Sequence, residues 1–437
     1  MKIFDSMKSN MMMVLLACLA VSCADMLNQY PNAAIAPDAV TEKDLPSMRY
    51  GMYNAVQNGP GVYSYMCFDL FGGDVTTPNL NPIDVINSYF SPLNSYTTGQ
   101  WGNYFATLYE VNNVLEVIER FPNAENSSMI RGEAHYFRAW IYMNLLIRYG
   151  DVPILRTNTM EKVRRDPVEK VWAFIDEDLE NAAKYVVESG NYYMVSPSAV
   201  TALTARVRLY EKRYSEAAAL AESLITGGLY QLDDFSSIFG TFPEESRKTN
   251  KETIFAFSNY MTESSNNISS HYYTYGHPNK GMGTYRLTAD IVNSFTSNDK
   301  RKSISIINIE GTDCLNKYPS GQAGTDPFIV SRIAEMYLIS AEAQGFDNQV
   351  ANGLARLNEL RSKRGLAAVS ASNAQELLDL VLEERRLELL GENHMWYDWI
   401  RTDKAVQRLG IREYQKLFPI SGKELQLNRL LEQNYGY

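Results

Sequence analysis

Residues 199–225 read AVTALTARVRLYEKRYSEAAALAESLI with a helical period, and they place small side chains at Ala202, Ala205, Ala217, Ala218 and Ala221, where two antiparallel helices would touch. Residues 331–364 repeat the arrangement. Such alanine-lined pairs are the mark of a tetratricopeptide-like hairpin, a unit that cannot bury its apolar face alone and needs neighbours stacked on it. The pattern therefore predicts a mainly α fold of stacked helical hairpins. Further apolar spacing of three and four falls at residues 101–118, 128–148, 168–187, 375–390 and 394–406, with Phe121-Pro122 and Gly150-Asp151-Val152-Pro153 as stops. The first two of these segments form an antiparallel pair. Only residues 253–257 and 304–309 have strand character, and the irregular stretches 60–100 and 227–330 are expected to pack on the stack as a loop-rich layer.

The amino-terminal end constrains location. Lys2 and Lys8 precede an apolar run from Met11 to Ser22, which closes as Leu19-Ala20-Val21-Ser22-Cys23. That run is about twelve residues long against the roughly 20 needed to cross a bilayer, so it reads as a lipoprotein signal and not as a membrane span. Cys23 would carry the lipid, and two or three acyl chains hold a protein on a membrane essentially permanently. An ordinary secretory signal with an incidental Cys23, or attachment at Cys18, are the alternatives. The expected organisation is a signal peptide at 1–22, a lipidated cysteine and tether at 23–45, an amino-terminal region at 46–230 and a carboxy-terminal region at 231–437.

A chain of 437 residues that is 45% hydrophobic has ample material for a core. Its net charge of −10 repels phosphate backbones, which makes nucleic acid an unexpected partner. Cys67 and Cys314 lie far apart without metal-ligand spacing, and the four histidines are scattered. No HExxH, GxSxG, Walker or dinucleotide motif is present, so no cofactor and no catalytic group is expected. Calcium binding stays open.

Charged residues sit inside the helical patterns. Arg131-Gly132-Glu133-Ala134-His135-Tyr136-Phe137-Arg138-Ala139-Trp140, running on to Tyr149-Gly150-Asp151-Val152-Pro153, resembles a helix signature of the SusD/RagB family. Further segments agree in order: Arg332-Ile333-Ala334-Glu335 with Ala341-Glu342-Ala343, Leu357-Asn358-Glu359-Leu360-Arg361, Glu384-Arg385 with Glu388-Leu389, and Trp396-Tyr397-Asp398-Trp399-Ile400-Arg401. Upstream, Cys23 with Met26-Leu27-Asn28 and Pro31, then Gly73-Asp74 ahead of Trp101, Tyr104 and Asn113, extend the resemblance over nearly the whole chain. Asn393 and Met395 depart from it, standing where the family usually has Gly and Arg. The resemblance implies a surface-exposed lipoprotein of the outer membrane, built on four tetratricopeptide-like hairpins, that binds nutrient and passes it to a SusC-like TonB-dependent transporter. Oligosaccharide is the expected ligand, oligopeptide the alternative. A helical-repeat adaptor and a hydrolase are the competing classes. On their own chemistry the motif charges read as ion pairs between hairpins, because an unpaired charge inside an apolar pattern is costly.

Sugar recognition calls for flat aromatic faces and for amide or carboxylate partners to hydroxyl groups. Two segments supply both. Residues 63–101 offer Asp74, Asn79, Asn81, Tyr89, Tyr96 and Trp101, and residues 266–286 offer Tyr272, Tyr273 and Tyr275. Trp101 also joins the helical period and is expected to serve the core, whereas the tyrosine trio has no evident core to fill.

Overall fold

The computed structural model describes residues 39–79, 83–239, 250–259 and 266–437. Ten helices make the scaffold: α1 (Leu45–Asn58), α2 (Ser95–Arg120), α3 (Ser127–Tyr149), α4 (Val168–Tyr185), α5 (Pro197–Tyr210), α6 (Tyr214–Thr226), α7 (Ile333–Phe346), α8 (Val350–Lys363), α9 (Ala374–Glu388) and α10 (Met395–Arg401). Neighbours in sequence pack as hairpins, and α6 against α7 carries the stack from one half of the chain into the other. The alanines at the α5–α6 contact are buried as the spacing predicts. From Gly132 to Tyr149, α3 is buried on every side except at His135, and it forms the axis on which α2 and α4 lie. Among the described residues no helix is long and apolar enough to cross a membrane.

Six short strands form three antiparallel pairs. β1 (Val75–Thr76) pairs with β3 (Arg286–Leu287), β2 (Thr253–Phe257) with β6 (Phe328–Arg332), and β4 (Ile306–Ile309) with β5 (Thr312–Leu315). The β1–β3 pair is the one that matters for a binding site. With Val75 opposite Leu287 and the Thr77 hydroxyl donating to the Thr284 carbonyl at 2.8 Å, it sews the two aromatic segments together across more than two hundred residues of chain.

Three expectations of local structure need correction. α2 begins at Ser95, capped by the Asn94 side chain, which accepts from the Tyr96 amide at 2.9 Å; Tyr96 is therefore helical and not part of a loop, and Trp101 is helical as its period predicts. The helix expected at 394–406 breaks after Arg401. Asp403 there takes a left-handed backbone (φ 59°), and a second short helix starts at Ala405. Residues 302–305 form one helical turn, so β4 starts at Ile306.

The motif charges are paired as their apolar setting requires. Arg138 holds Asp178 with two bonds of 2.8 Å, Arg206 of α5 grips Glu335 of α7 at 2.6 Å, and Arg401 meets Glu342 at 2.8 Å. Glu388 lies among Arg301, Arg332 and Arg364 at 2.8, 2.6 and 2.8 Å, while Arg361 and Arg301 share Glu384. Burial alone would raise the Glu388 carboxyl, yet the guanidiniums of Arg364, Arg332 and Arg301 hold it well below the usual carboxylate range. Asn393 explains its own departure from the family pattern. Its backbone is left-handed (φ 66°), which asparagine tolerates, and its side chain accepts from the Phe68 amide and donates to the Ser64 carbonyl, both at 2.9 Å.

Candidate ligand-binding site

Beside the β1–β3 seam the surface opens into a cleft of about 630 Å³. Its walls come from three stretches: Phe71 to Thr76 with Ile86 to Tyr89, Thr288 just after β3, and Arg408 to Gln415. Gly73 bends the first wall with φ 94°, a conformation that disfavours any larger residue, and a Cβ there would meet the Leu409 side chain at 3.1 Å. The floor is fixed by charge. Asp74 is buried beneath the cleft, and its carboxylate takes the Arg386 Nε at 2.8 Å. Gln415 is likewise committed, donating to the Ser88 carbonyl at 2.6 Å and accepting from the Arg412 amide at 2.7 Å.

The structure sorts the residues that the sequence singled out. Tyr89 is 64% exposed and lines the cleft, as a stacking ring requires. Asn79 is exposed just after β1, and Asn81 and Cys23 lie outside the described residues. Asp74 is corrected from ligand contact to structural anion, because Arg386 already neutralises it in a buried pair. Trp101, 3% exposed, packs at 5.0 Å from both Phe105 and Tyr149 and faces the core, not a ligand.

Tyr272 and Tyr273 also lose their ligand role, since both are fully buried. Tyr273 stacks on His277 at 3.8 Å and its hydroxyl donates to Asn316 Oδ1 at 2.6 Å. The chain folds tightly over it: Gly283 donates to the Tyr273 carbonyl, and a Cβ on Gly281 would collide with that same carbonyl. Of the trio only Tyr275, 73% exposed, keeps a free face, and it does not line the cleft.

A second aromatic group occupies the seam itself. Tyr63 meets Tyr96 edge-on at 4.3 Å and His271 at 5.5 Å, while His271 lies 6.1 Å from Tyr285. Burial lowers His271 to about 4, so its ring is neutral near pH 7. These rings bind the loops to each other. Among the described residues no group of three or more metal-ligating side chains is assembled.

Arg408 and Arg412 are the cleft residues that sequence reading missed. They sit in a segment outside the quoted motifs, more than three hundred residues from Tyr89, and only the fold brings them to it.

Residues 25–209 match a family model described as "Starch-binding associating with outer membrane", and residues 311–413 match the model of the SusD family. The chain belongs to the SusD family. SusD-like protein P38 of Formosa agariphila is 23% identical to it, with all of both chains covered. Among solved structures, a SusD superfamily protein of Bacteroides vulgatus is similar with TM-score 0.80 at 20% identity, over 91% of this chain and 99% of that one. One from Parabacteroides distasonis gives TM-score 0.78 at 24% identity, over 91% of this chain and all of the other. These neighbours share the helical fold. SusD-like proteins are nutrient-binding proteins associated with the outer membrane.

Proposed function

We propose that this SusD-family protein is a cell-surface lipoprotein without catalytic activity that captures oligosaccharide and delivers it to a SusC-like TonB-dependent transporter of the outer membrane. The observation that carries the reading is the open cleft beside the β1–β3 seam, with the exposed ring of Tyr89 on its wall. A volume of about 630 Å³ suits several sugar rings, and a rigid helical stack behind the cleft keeps it formed before ligand arrives. The motif-bearing acids offer no rival chemistry. Glu384 and Glu388 are buried and committed to arginines.

Titration calorimetry or affinity electrophoresis across a panel of oligosaccharides tests the claim, and silence on every saccharide removes it. Tyr89→Ala is expected to weaken binding about tenfold, near 1.4 kcal/mol, by deleting a stacking face. Its melting temperature should stay within a few degrees of the parent, because an exposed side chain contributes little to stability. Anchoring has its own test. Cys23→Ala should yield a folded protein lost from the membrane fraction, since the run before Cys23 is too short to hold it. Unchanged retention in outer membranes would remove the lipoprotein half of the proposal.

A further inference from the structure

We infer that the cleft takes a saccharide bearing carboxylate or sulfate groups and discriminates against a neutral one, an inference that rests on the glycan-capture reading above. Among the described residues, Arg408 and Arg412 are the only formally charged ones that line it, and no Asp or Glu does. Arg412 is exposed and makes no ion pair among the described residues. Arg408 has one carboxylate within reach, Asp290 at 3.5 Å, and that acid is already held more closely by Arg386.

The other acids nearby are spoken for. Asp74 lies underneath, buried against Arg386, and Glu413 pairs with Lys416 at 2.8 Å. What remains facing the cleft is net positive. The chain as a whole carries −10, which by itself argues against an acidic polymer. Screening reverses that argument at close range: charges beyond a Debye length of about 8 Å are largely damped, whereas Arg412 and Arg408 both line the cleft, the Arg408 guanidinium 5.4 Å from the Trp399 ring. A guanidinium is planar and presents a donor fork that matches a carboxylate or sulfate with two parallel bonds. Tyr89 can stack on the sugar ring that carries such a group, and the exposed Asn87 can pair its hydroxyls. A neutral glycan would use the ring and the amide and leave both arginines idle.

The experiment is calorimetry on the full-length protein with three probes: an oligogalacturonate, an oligosaccharide of chondroitin sulfate, and maltohexaose. The charged probes are expected to bind at least about tenfold more tightly than maltohexaose. Raising the salt from about 0.05 to about 0.5 M should weaken them several-fold while leaving the neutral probe unchanged. Arg412→Ala should cost about tenfold for a charged probe, and Arg412→Lys should recover only part of it because the fork is lost. Arg408→Ala serves as the second variant; if it compromises folding, Arg412→Ala decides alone. Binding of one charged probe and not the other supports the inference and names the group. Equal or tighter binding of maltohexaose, or charged-probe binding that ignores Arg412→Ala, overturns it while glycan capture stands. Absence of binding across these probes and the wider saccharide panel overturns both.

Discussion

Glu388→Ala is expected to destabilise the protein by about 3–5 kcal/mol, enough to leave many molecules unfolded at growth temperature. The carboxylate it removes is shared by Arg301, Arg332 and Arg364, all buried, so deletion leaves three buried guanidiniums short of one common anion, with Arg301 keeping Asp299 and Glu384. Arg332 keeps Glu252 and Glu392, and Arg364 keeps Glu252, which holds the loss below that of an isolated buried charge. Urea denaturation followed by far-UV circular dichroism measures it, with an unchanged slope showing that stability and not cooperativity has moved. The sign with pH follows from the lowered carboxyl. Its stabilisation is complete above the ordinary glutamate value of 4.5 and is lost as pH falls through the folded value, so the variant should show a shallower loss of stability in acid. A change under about 1 kcal/mol would mean that the charge cluster is solvated in solution.

Trp101→Ala should cost a similar 3–5 kcal/mol, because the indole fills the space between α2 and Tyr149 and leaves a cavity that α3 cannot close. Tyr272→Ala is expected to lose on the order of 3 kcal/mol for the same reason. Tyr275→Ala, by contrast, should fall within about 0.5 kcal/mol of the parent. Thermal melts of the three variants side by side separate scaffold from surface. Stable Tyr272→Ala protein alongside unfolded Tyr275→Ala protein would invert the burial described for this loop.

The contrast between those two tyrosines shows what sequence could and could not tell. The helical stack was legible because a helix that buries one face repeats its apolar residues at three and four, and most of α2 to α9 carry that record, whereas α3 and α7 are buried nearly all round. α1 went unrecognised: Leu45, Met52 and Val56 are its buried apolar contacts, spread too thinly among polar residues to announce a period. Loop cores leave no periodic trace at all. Tyr272 and Tyr273 stand among serines and glycines, and nothing in that neighbourhood says that the chain folds back over them. Asn94, inside the aromatic stretch 63–101, is a helix cap, although the same side-chain oxygen would serve a ligand equally well. The cleft combined both difficulties. Tyr89 was visible as an aromatic in irregular sequence, while Arg408 and Arg412 became its neighbours only through the packing of the carboxy-terminal segment.

That packing has a kinetic consequence. Asp74 waits for Arg386, 312 residues later; the Phe68 amide waits for Asn393, 325 residues later; and the carbonyl of Arg148 accepts from Phe418. Asn434 donates to the Tyr149 carbonyl, 285 residues back along the chain. Contacts so distant along the chain are paid for in loop-closure entropy before they return any stability, which slows folding. A polypeptide emerging amino-terminus first therefore cannot complete the packing of its first half until these carboxy-terminal partners have been made. Under the lipoprotein reading proposed above, in which the chain crosses a membrane as an unfolded strand, lateness of this kind is useful: the native state is withheld until these distant segments have arrived on the far side.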